Sequence, residues 1–256
     1  MPTLERSGVR LYFADSGSGL PVLFHTGGGG DGRMWVRAGY LSQLAGARHI
    51  LMDHRGHGQS DCPAELEAHR IDEYVADVVA VLDAAEVDRA VLVGYSAGAD
   101  VVLRVAANCP DRCTGVVALG DPPQAIDVSE WNRALAQQVR ELGMRAIVEQ
   151  MSASEPEPAP AWLIDNLAQT SGEMFALMLA AWADAPLLWD CLPRVTAPTL
   201  MVVGELEQGG GGAVEAAVSR LRSGRAVVSP RFGHLQNFWH GEVTGPVIAA
   251  FLDATR

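Results

Sequence analysis

Short apolar runs alternate along the chain with segments whose apolar residues recur at helical spacing. The runs predict strands at residues 9–14, 22–24, 49–52, 90–93, 116–119, 199–203 and 226–228. The helical spacing predicts helices at residues 71–85, 97–108, 213–221 and 245–254. Short, continuous apolar strands are typical of burial on both faces, and their alternation with helices predicts a mostly parallel, doubly wound α/β sheet.

The alternation stops between residues 121 and 192, where helical patterns continue without a strand pattern. This stretch contains a Pro-rich segment, EPEPAP at 155–160, and holds four of the six Trp and four of the eight Met. Ligands of open α/β sheets bind at the carboxyl ends of the strands, where an insertion can cover them. We therefore predict a helical cap at 122–192 on a core formed by 1–121 and 193–256.

Most aromatic residues of this cap are expected to pack its own interior, and a few are expected to face a substrate. The candidates for substrate binding are Trp131, Trp162, Trp182 and, outside the cap, Tyr95.

The sequence GYSAG at residues 94–98 lies between a predicted strand and a predicted helix. A nucleophile elbow holds a serine in such a strand–turn–helix unit, with small residues on both sides because neighbouring backbone comes close. The five letters alone are a weak signal in a chain with 27 Gly, but their position is the one that an elbow requires. Ser96 is therefore the candidate nucleophile.

A serine hydroxyl becomes a good nucleophile when a histidine accepts its proton. His234 follows the last predicted strand, so its loop is expected to return over the carboxyl edge of the sheet toward Ser96. His25, His54 and His57 lie in loops after earlier strands and are less well placed. His234 is the predicted base.

The histidine in turn needs a carboxylate that orients it and stabilises its cation. Glu207, in the sequence GELEQ after the 199–203 strand, is the preferred candidate. Asp121, at the end of the 116–119 strand, and Glu205 remain alternatives. The chain order Ser96, Glu207, His234 is the order expected for a site of this kind.

Backbone N–H donors for a developing oxyanion have two candidate sources. One is Ala97, at the start of the helix that follows the serine. The other is the Gly-rich loop HTGGGG at 25–30, in which Gly27 or Gly28 can donate. A phosphate-binding loop is disfavoured because no GxxxxGK pattern follows.

The segment DHRGHGQS at residues 53–60 places two histidines three residues apart in a Gly-rich loop. Only Asp53 accompanies His54 and His57, and the spacing is not that of one helix face, so a metal site is disfavoured. A structural loop held by Asp53 and Arg55 is preferred. We predict no metal and no cofactor.

Composition narrows the candidate partners. A net charge of −12 and a pI of about 4.9 argue against nucleic acid and anionic membrane surfaces. All 19 basic residues are arginine, which excludes a Schiff-base lysine and a Ser–Lys dyad. The four cysteines lack CxxC spacing and are interpreted as reduced thiols. With no apolar span and no signal-peptide core, we expect a cytoplasmic protein that binds a small molecule; a homodimer is left open.

Taken together, these motifs resemble the α/β-hydrolase superfamily over nearly the whole chain. The resemblance rests on HTGGGG, DHRGHGQS, GYSAG, GELE and FGHLQNF. The chain is most similar to small esterases and lactonases such as the enol-lactonase group, which implies a cap inserted after the sixth strand. Thr26 stands where the family's oxyanion loop usually has glycine, and Glu207 stands where the acid is usually aspartate. Dehalogenases and epoxide hydrolases of this fold use an aspartate nucleophile, which Ser96 disfavours.

The expected function is that of a serine hydrolase cleaving a carboxylic ester or lactone through an acyl-enzyme on Ser96. A carbon–carbon bond hydrolase, an acyltransferase and a cofactor-free haloperoxidase are alternatives on the same residues, and a non-catalytic ligand receptor is disfavoured. The predicted cap has ten acidic and three basic residues. Neutral esters are therefore expected to be preferred over carboxylate-bearing ones, unless Arg133, Arg140 or Arg145 points inward.

Overall fold

The computed structural model describes residues 3–208 and 210–255. Within these residues one sheet contains eight strands: β1 (Thr3–Arg6), β2 (Val9–Gly17), β3 (Leu20–His25), β4 (Ala47–Asp53), β5 (Ala90–Tyr95), β6 (Cys113–Leu119), β7 (Thr199–Gly204) and β8 (Gly224–Ser229). The order across the sheet is β1-β2-β4-β3-β5-β6-β7-β8. β2 is antiparallel to both of its neighbours, and the other adjacent strands are parallel. The predicted mostly parallel sheet is confirmed.

The connections in the described part of the chain contain ten α-helices: α1 (Arg33–Arg37), α2 (Tyr40–Gln43), α3 (Ile71–Ala84), α4 (Ala97–Asn108), α5 (Ser129–Ala153), α6 (Ala161–Leu167), α7 (Gly172–Trp182), α8 (Gly210–Val218), α9 (His234–Trp239) and α10 (Gly241–Ala254). Buried residues of α3, α4 and α8 pack on one face of the sheet, and those of α1, α2 and α10 pack on the other. Within the described residues, no helix is both long and apolar enough to cross a membrane.

The centre of the sheet explains why its strands are continuously apolar. Successive side chains of a strand point to opposite faces. In β5, Leu92 packs with the α3 and α4 layer, whereas Val91 and Val93 pack with the opposite layer, and all three are fully buried. Because both faces are covered by helices, both sets of positions are apolar.

The connection from β6 to β7 contains α5, α6 and α7, followed by short 3₁₀ turns at Leu188–Asp190 and Leu192–Arg194. Residues 120–198 are all described, and none of them is in a strand. α5 packs against α7 and is interrupted at Gly143, whose φ of 79° is not helical. That residues 122–192 act as a separate cap remains a prediction.

The structure adds one strand and three α-helices of the core to those predicted. β1 is an edge strand with half-exposed polar residues, so it lacks the apolar run of a buried strand. α1, α2 and α9 have five, four and six residues, too few for a helical period to be read. α8 and α10 begin earlier than predicted, because their first turns contain glycine, which has low helix propensity.

Candidate active site

Ser96 occupies the tight turn between β5 and α4, with φ of 54° and ψ of −124°. A non-glycine residue rarely adopts positive φ, so the turn is strained. Lack of space explains the flanking glycines: a Cβ at Gly94 would lie 2.2 Å from the carbonyl oxygen of Gly98, and one at Gly98 would lie 2.5 Å from that of His25. The Ser96 N–H donates to the carbonyl oxygen of Leu119 at 2.8 Å, which fastens the turn to β6.

Four functional candidates follow four neighbouring strands. Ser96 follows β5, Asp121 comes two residues after β6, Glu207 follows β7, and His234 follows β8. These strands are adjacent and parallel, so their carboxyl ends lie at the same edge of the sheet. Strand order therefore brings together residues that are up to 138 positions apart, from Ser96 to His234.

Glu207 is buried in a set of hydrogen bonds. Its Oε2 lies 3.0 Å from His234 Nδ1 and accepts the Asp121 N–H at 2.9 Å. Its Oε1 accepts the Gly204 N–H at 2.6 Å and faces the Asn237 amide nitrogen at 3.4 Å. With its side chain 2% exposed, the carboxylate is held in one orientation toward the imidazole.

Contacts with Tyr95 and Glu155 position the His234 imidazole and the helix that begins with this residue. The Tyr95 ring stacks on it with 5.0 Å between centroids, and the Tyr95 hydroxyl donates to the His234 carbonyl oxygen at 3.2 Å. From the segment after α5, the carboxylate of Glu155 accepts the N–H groups of Leu235 at 2.9 Å and Gln236 at 3.3 Å. Glu155 thereby fixes the first turn of α9, the helix that begins with His234.

Asp121 holds a second carboxylate at the same place. Its Oδ2 accepts the Ser96 hydroxyl at 3.1 Å, and its Oδ1 lies 3.8 Å from His234 Nδ1. Unlike Glu207, its side chain is 65% exposed. Asp121 therefore contacts Ser96 directly, while Glu207 contacts the histidine from the protein interior.

These contacts set the charge of the site. Burial by itself lowers the pKa of His234, but the carboxylates of Asp121, Glu207 and Glu155 outweigh it and raise the pKa from 6.5 to about 9. For Glu207, burial raises the pKa, and this is outweighed by the His234 contact and by the N–H groups of Gly204 and Asp121, which hold its pKa below the usual range. The pair thus favours an ionised Glu207 beside a basic imidazole.

The Gly-rich loop after β3 passes directly beside Ser96. A Cβ at Gly27 would lie 2.9 Å from the Ser96 Cβ, and one at Gly28 would lie 2.1 Å from the Phe175 ring of α7. Because neither glycine has a side chain, the backbone of the loop can approach the site closely. Ala97 is the first residue of α4, and its N–H is one of the donors that a helix leaves free at its N-terminus.

The segment 53–60 holds that loop in place. Asp53 accepts the Gly32 N–H at 2.8 Å, and His57 Nε2 accepts the Gly29 N–H at 2.9 Å. Burial lowers the pKa of His57 to about 3, so its imidazole stays neutral and can accept. Arg55 is anchored by two bonds to Asp77, at 2.6 and 2.7 Å. The segment is thus a structural loop held by Asp53 and Arg55.

Comparison with known proteins agrees with this arrangement. A family model described as alpha/beta hydrolase fold matches residues 21–148, half of the chain and the part that runs from β3 through the elbow into α5. The chain belongs to the α/β-hydrolase family.

Individual relatives are named for several different activities. The chain is 32% identical over 126 residues to a 2-hydroxymuconate semialdehyde hydrolase from Pseudomonas sp. (strain CF600), covering 48% of this chain and 44% of that protein. It is 30% identical over 165 residues to a 3-oxoadipate enol-lactonase from Acinetobacter baylyi, covering 60% of each. Other relatives are named epoxide hydrolase and non-heme chloroperoxidase. The chain matches about half the length of the semialdehyde hydrolase, the chloroperoxidase and the epoxide hydrolase.

Solved structures extend the likeness to the whole chain. A thermophilic esterase from Thermogutta terrifontis has a TM-score of 0.82 at 26% identity, over 99% of this chain and 97% of that one. The likeness to esterases and lactonases confirms the group that the motifs indicate, and the relatives support a hydrolase.

The predicted substrate-binding residues lie in different surroundings. Trp131 is 59% exposed on α5. The Trp162 ring lies 5.5 Å from the Arg37 guanidinium, and the Trp182 ring meets the Tyr74 ring at 5.2 Å. Their role in substrate binding stays a prediction. Tyr95 is 2% exposed and lies beneath the imidazole, a position that supports His234.

Sequence reasoning missed two residues that contact the site. Phe175 covers the Gly-rich loop at Gly28, and Glu155 binds the turn that carries His234. Both come from the segment between β6 and β7. Neither belongs to a motif, because each contact joins residues far apart in the chain.

Among the described residues, one group of potential metal ligands was found, formed by Asp121, Glu207 and His234 with ligand atoms within 4.8 Å of one another. The oxygens of Glu207 already accept N–H groups of Asp121 and Gly204, and Oε2 faces His234 Nδ1. Hydrogen bonding within the protein therefore accounts for this grouping, and the chemistry proposed below needs no cation.

Proposed function

We propose that the protein hydrolyses a carboxylic ester or a lactone through an acyl-enzyme on Ser96. The observation that carries the proposal is a serine in a strained turn whose hydroxyl contacts Asp121, together with a histidine whose Nδ1 lies 3.8 Å from Asp121 and 3.0 Å from the buried carboxylate of Glu207. In such a site the acid orients the imidazole and stabilises the cation that forms when it takes the serine proton. Membership of a hydrolase family supports the same reaction class.

The reaction begins with a change at the serine. In the free enzyme the Ser96 hydroxyl donates to Asp121. Rotation about the Cα–Cβ bond of Ser96 turns the hydroxyl to His234 Nε2, which accepts its proton. The Ser96 oxygen then bonds to the substrate carbonyl carbon, and the electron pair of the C=O bond moves to oxygen.

The negative oxygen that forms needs donors that are already in place. The Ala97 N–H and an N–H of Gly27 or Gly28 supply them without reorganisation. When the carbonyl re-forms, the alcohol leaves with the proton held by His234, and the acyl group stays on Ser96. A water molecule then attacks the acyl carbon while His234 accepts one of its protons. The bond from the acyl carbon to the Ser96 oxygen breaks, His234 returns the proton to that oxygen, and the acid is released.

A carbon–carbon bond hydrolase is the second candidate. It is favoured by one observation, the likeness to the protein named 2-hydroxymuconate semialdehyde hydrolase. The two candidates share Ser96 and His234 but differ in the bond that breaks.

A fluorophosphonate probe and p-nitrophenyl butyrate test the proposal together. Wild type should be labelled on Ser96 and should hydrolyse the ester. Ser96→Ala should lose labelling and at least about 10⁴-fold in kcat, because the acyl acceptor is gone.

Ser42→Ala is the control, since Ser42 is an exposed serine of α2. It should keep both labelling and activity. Persistent labelling or turnover in Ser96→Ala would show that another residue is the nucleophile.

A further inference from the structure

Asp121 lies beside Ser96 but neither transfers a proton nor forms a bond in the proposed reaction. Its Oδ2 is 3.1 Å from the Ser96 Oγ, and its side chain is 65% exposed. Glu207, by contrast, is 2% exposed and already faces the imidazole from inside the protein. The carboxylate of Asp121 therefore faces whatever molecule approaches Ser96.

The backbone keeps that carboxylate in place. Gly120 and Asp121 have φ of 72° and 45°, which turns the chain sharply at the end of β6. The Asp121 N–H is bound by Glu207 at 2.9 Å, and the buried Pro122 and Pro123 follow. The main chain of Asp121 is thus fastened to Glu207, the residue that binds His234.

Catalysis changes the partners of Asp121. Once the Ser96 hydroxyl turns to His234, Asp121 Oδ2 loses the donor that it has in the free enzyme. The reacting carbon approaches the serine oxygen to about 3 Å, so it lies within about 6 Å of this carboxylate. A donor on a carbon near the scissile carbonyl can take the place of the serine hydroxyl, whereas an anion there is repelled.

The arginines of the 122–192 segment do not offset this charge, because each is bound at the surface. Arg133 pairs with Asp184 at 2.5 Å, and its side chain is 54% exposed. Arg140 pairs with Glu173 at 2.9 Å and Arg145 with Asp165 at 2.8 Å, again with exposed side chains.

From these contacts we infer that Asp121 determines specificity in the proposed ester hydrolase. It disfavours substrates with an anionic group on the acyl chain near the scissile carbonyl and favours those with a hydroxyl or ammonium donor there. The inference rests on the proposed function, and it extends that function by naming the charge class of the substrate and the residue that selects it.

The test compares three p-nitrophenyl esters of similar acyl length: the neutral butyrate, the anionic hemisuccinate and the cationic β-alanine ester. The ratios of kcat/KM are compared in wild type and Asp121→Asn at one pH. Asparagine suits the site because it tolerates positive φ. The ratio of hemisuccinate to butyrate should rise about tenfold, the effect of removing a unit charge several ångströms from the charge of the substrate, and the ratio of β-alanine ester to butyrate should fall.

Glu130→Gln is the matched control, because it removes the same charge from an exposed position in the first turn of α5. Its ratios should stay within about twofold of wild type, as expected for an exposed, screened charge. Opposite movement of the two charged esters is a result that a merely structural defect cannot produce.

The possible failures are distinguishable. If wild type hydrolyses the butyrate but the ratios are the same in Asp121→Asn, or both charged esters move in one direction, the role of Asp121 is wrong and the hydrolase proposal stands. If wild type neither hydrolyses the butyrate nor labels at Ser96, the proposed function is wrong and the inference about Asp121 is overturned with it.

Discussion

The sheet core and the helical segment between β6 and β7 use their charged side chains in different ways. In the core, Arg55 and Asp77 form an ion pair whose side chains are 1% and 0% exposed, and Arg6 adds another contact to Asp77 at 2.6 Å. In the helical segment, Arg140 pairs with Glu173 where the side chains are 42% and 53% exposed.

The difference shows which charges hold the site together. An exposed pair contributes about 0–1 kcal/mol, because water solvates both partners when they separate. Removing one partner of a buried pair costs about 3–5 kcal/mol, because a charge is left without compensation. Buried polar groups therefore position the loops around Ser96, while the segment can change its surface pairs at little cost. Glu155 is an exception, since it belongs to the segment but binds the turn of His234.

Glu207→Gln should have the largest effect on the core side of this comparison. The amide cannot stabilise the imidazolium as the carboxylate does, and its NH₂ group cannot accept the N–H groups that both carboxylate oxygens now accept. Steady-state kinetics on p-nitrophenyl butyrate should show a loss in kcat of about 10³–10⁴-fold.

The control for this variant is Glu205→Gln, because Glu205 is an exposed carboxylate on the same loop that accepts the Arg231 N–H at 2.7 Å. We expect it to retain kcat within about threefold, since surface substitutions are usually mild. A large loss in Glu205→Gln together with a small one in Glu207→Gln would move the acid to position 205.

Asp77→Asn should destabilise the fold by about 3–5 kcal/mol, since it removes the carboxylate that accepts two hydrogen bonds from the buried Arg55 and leaves this guanidinium with Glu73 at 3.5 Å. Urea denaturation followed by circular dichroism measures the change. Arg140→Gln, which breaks an exposed pair of the helical segment, should change stability by less than about 1 kcal/mol. Equal effects of the two variants would remove the contrast between the regions.

His234 lies where the two regions meet, since Asp121, Glu207 and Glu155 face it and Tyr95 stacks beneath it. Its raised pKa of about 9 predicts that kcat/KM increases with pH and levels off above about 9, because only the neutral imidazole can accept a proton. At pH 7, activity should be about one hundredth of the plateau. Asp121→Asn should move this limb to lower pH, because a raising charge is removed.

The same raised pKa affects stability with a defined sign. The charged imidazole stabilises the fold fully below the unfolded pKa of about 6.5, and this contribution is lost as pH rises through about 9.

A pH–rate profile on a substrate with a pH-stable leaving group measures the rise of kcat/KM with pH. A limb near pH 6 would show that the carboxylates do not act on His234 in this way.

Much of this fold follows from local signals, because strands buried on both faces are continuously apolar and long helices show their period. The turn at Ser96 could also be predicted from the sequence, since Gly94 and Gly98 mark the close backbone approach that it needs. The order of the strands could not be predicted, because pairing of β5 with β6 and of β7 with β8 depends on contacts between distant parts of the chain.

The choice between the two carboxylates shows the same limit. Sequence reasoning named Glu207 and Asp121 as candidates for one role, because each follows a strand. Only the structure shows that one is buried against the imidazole and the other exposed against the serine. Burial and direction depend on the packing of neighbouring loops, which no motif records.

The contact between Glu155 and the start of α9 limits how segments of this protein can be exchanged with those of its relatives. A Cβ at position 233 would lie 2.2 Å from the Glu155 Oε2, so Gly233 leaves the space that the carboxylate occupies. An exchange of the helical segment with that of a relative would separate Glu155 from the Gly233 that leaves space for it. Such a chimera should be built with positions 155 and 233 from the same parent, because otherwise the new segment either clashes with the turn of His234 or leaves its N–H groups without an acceptor.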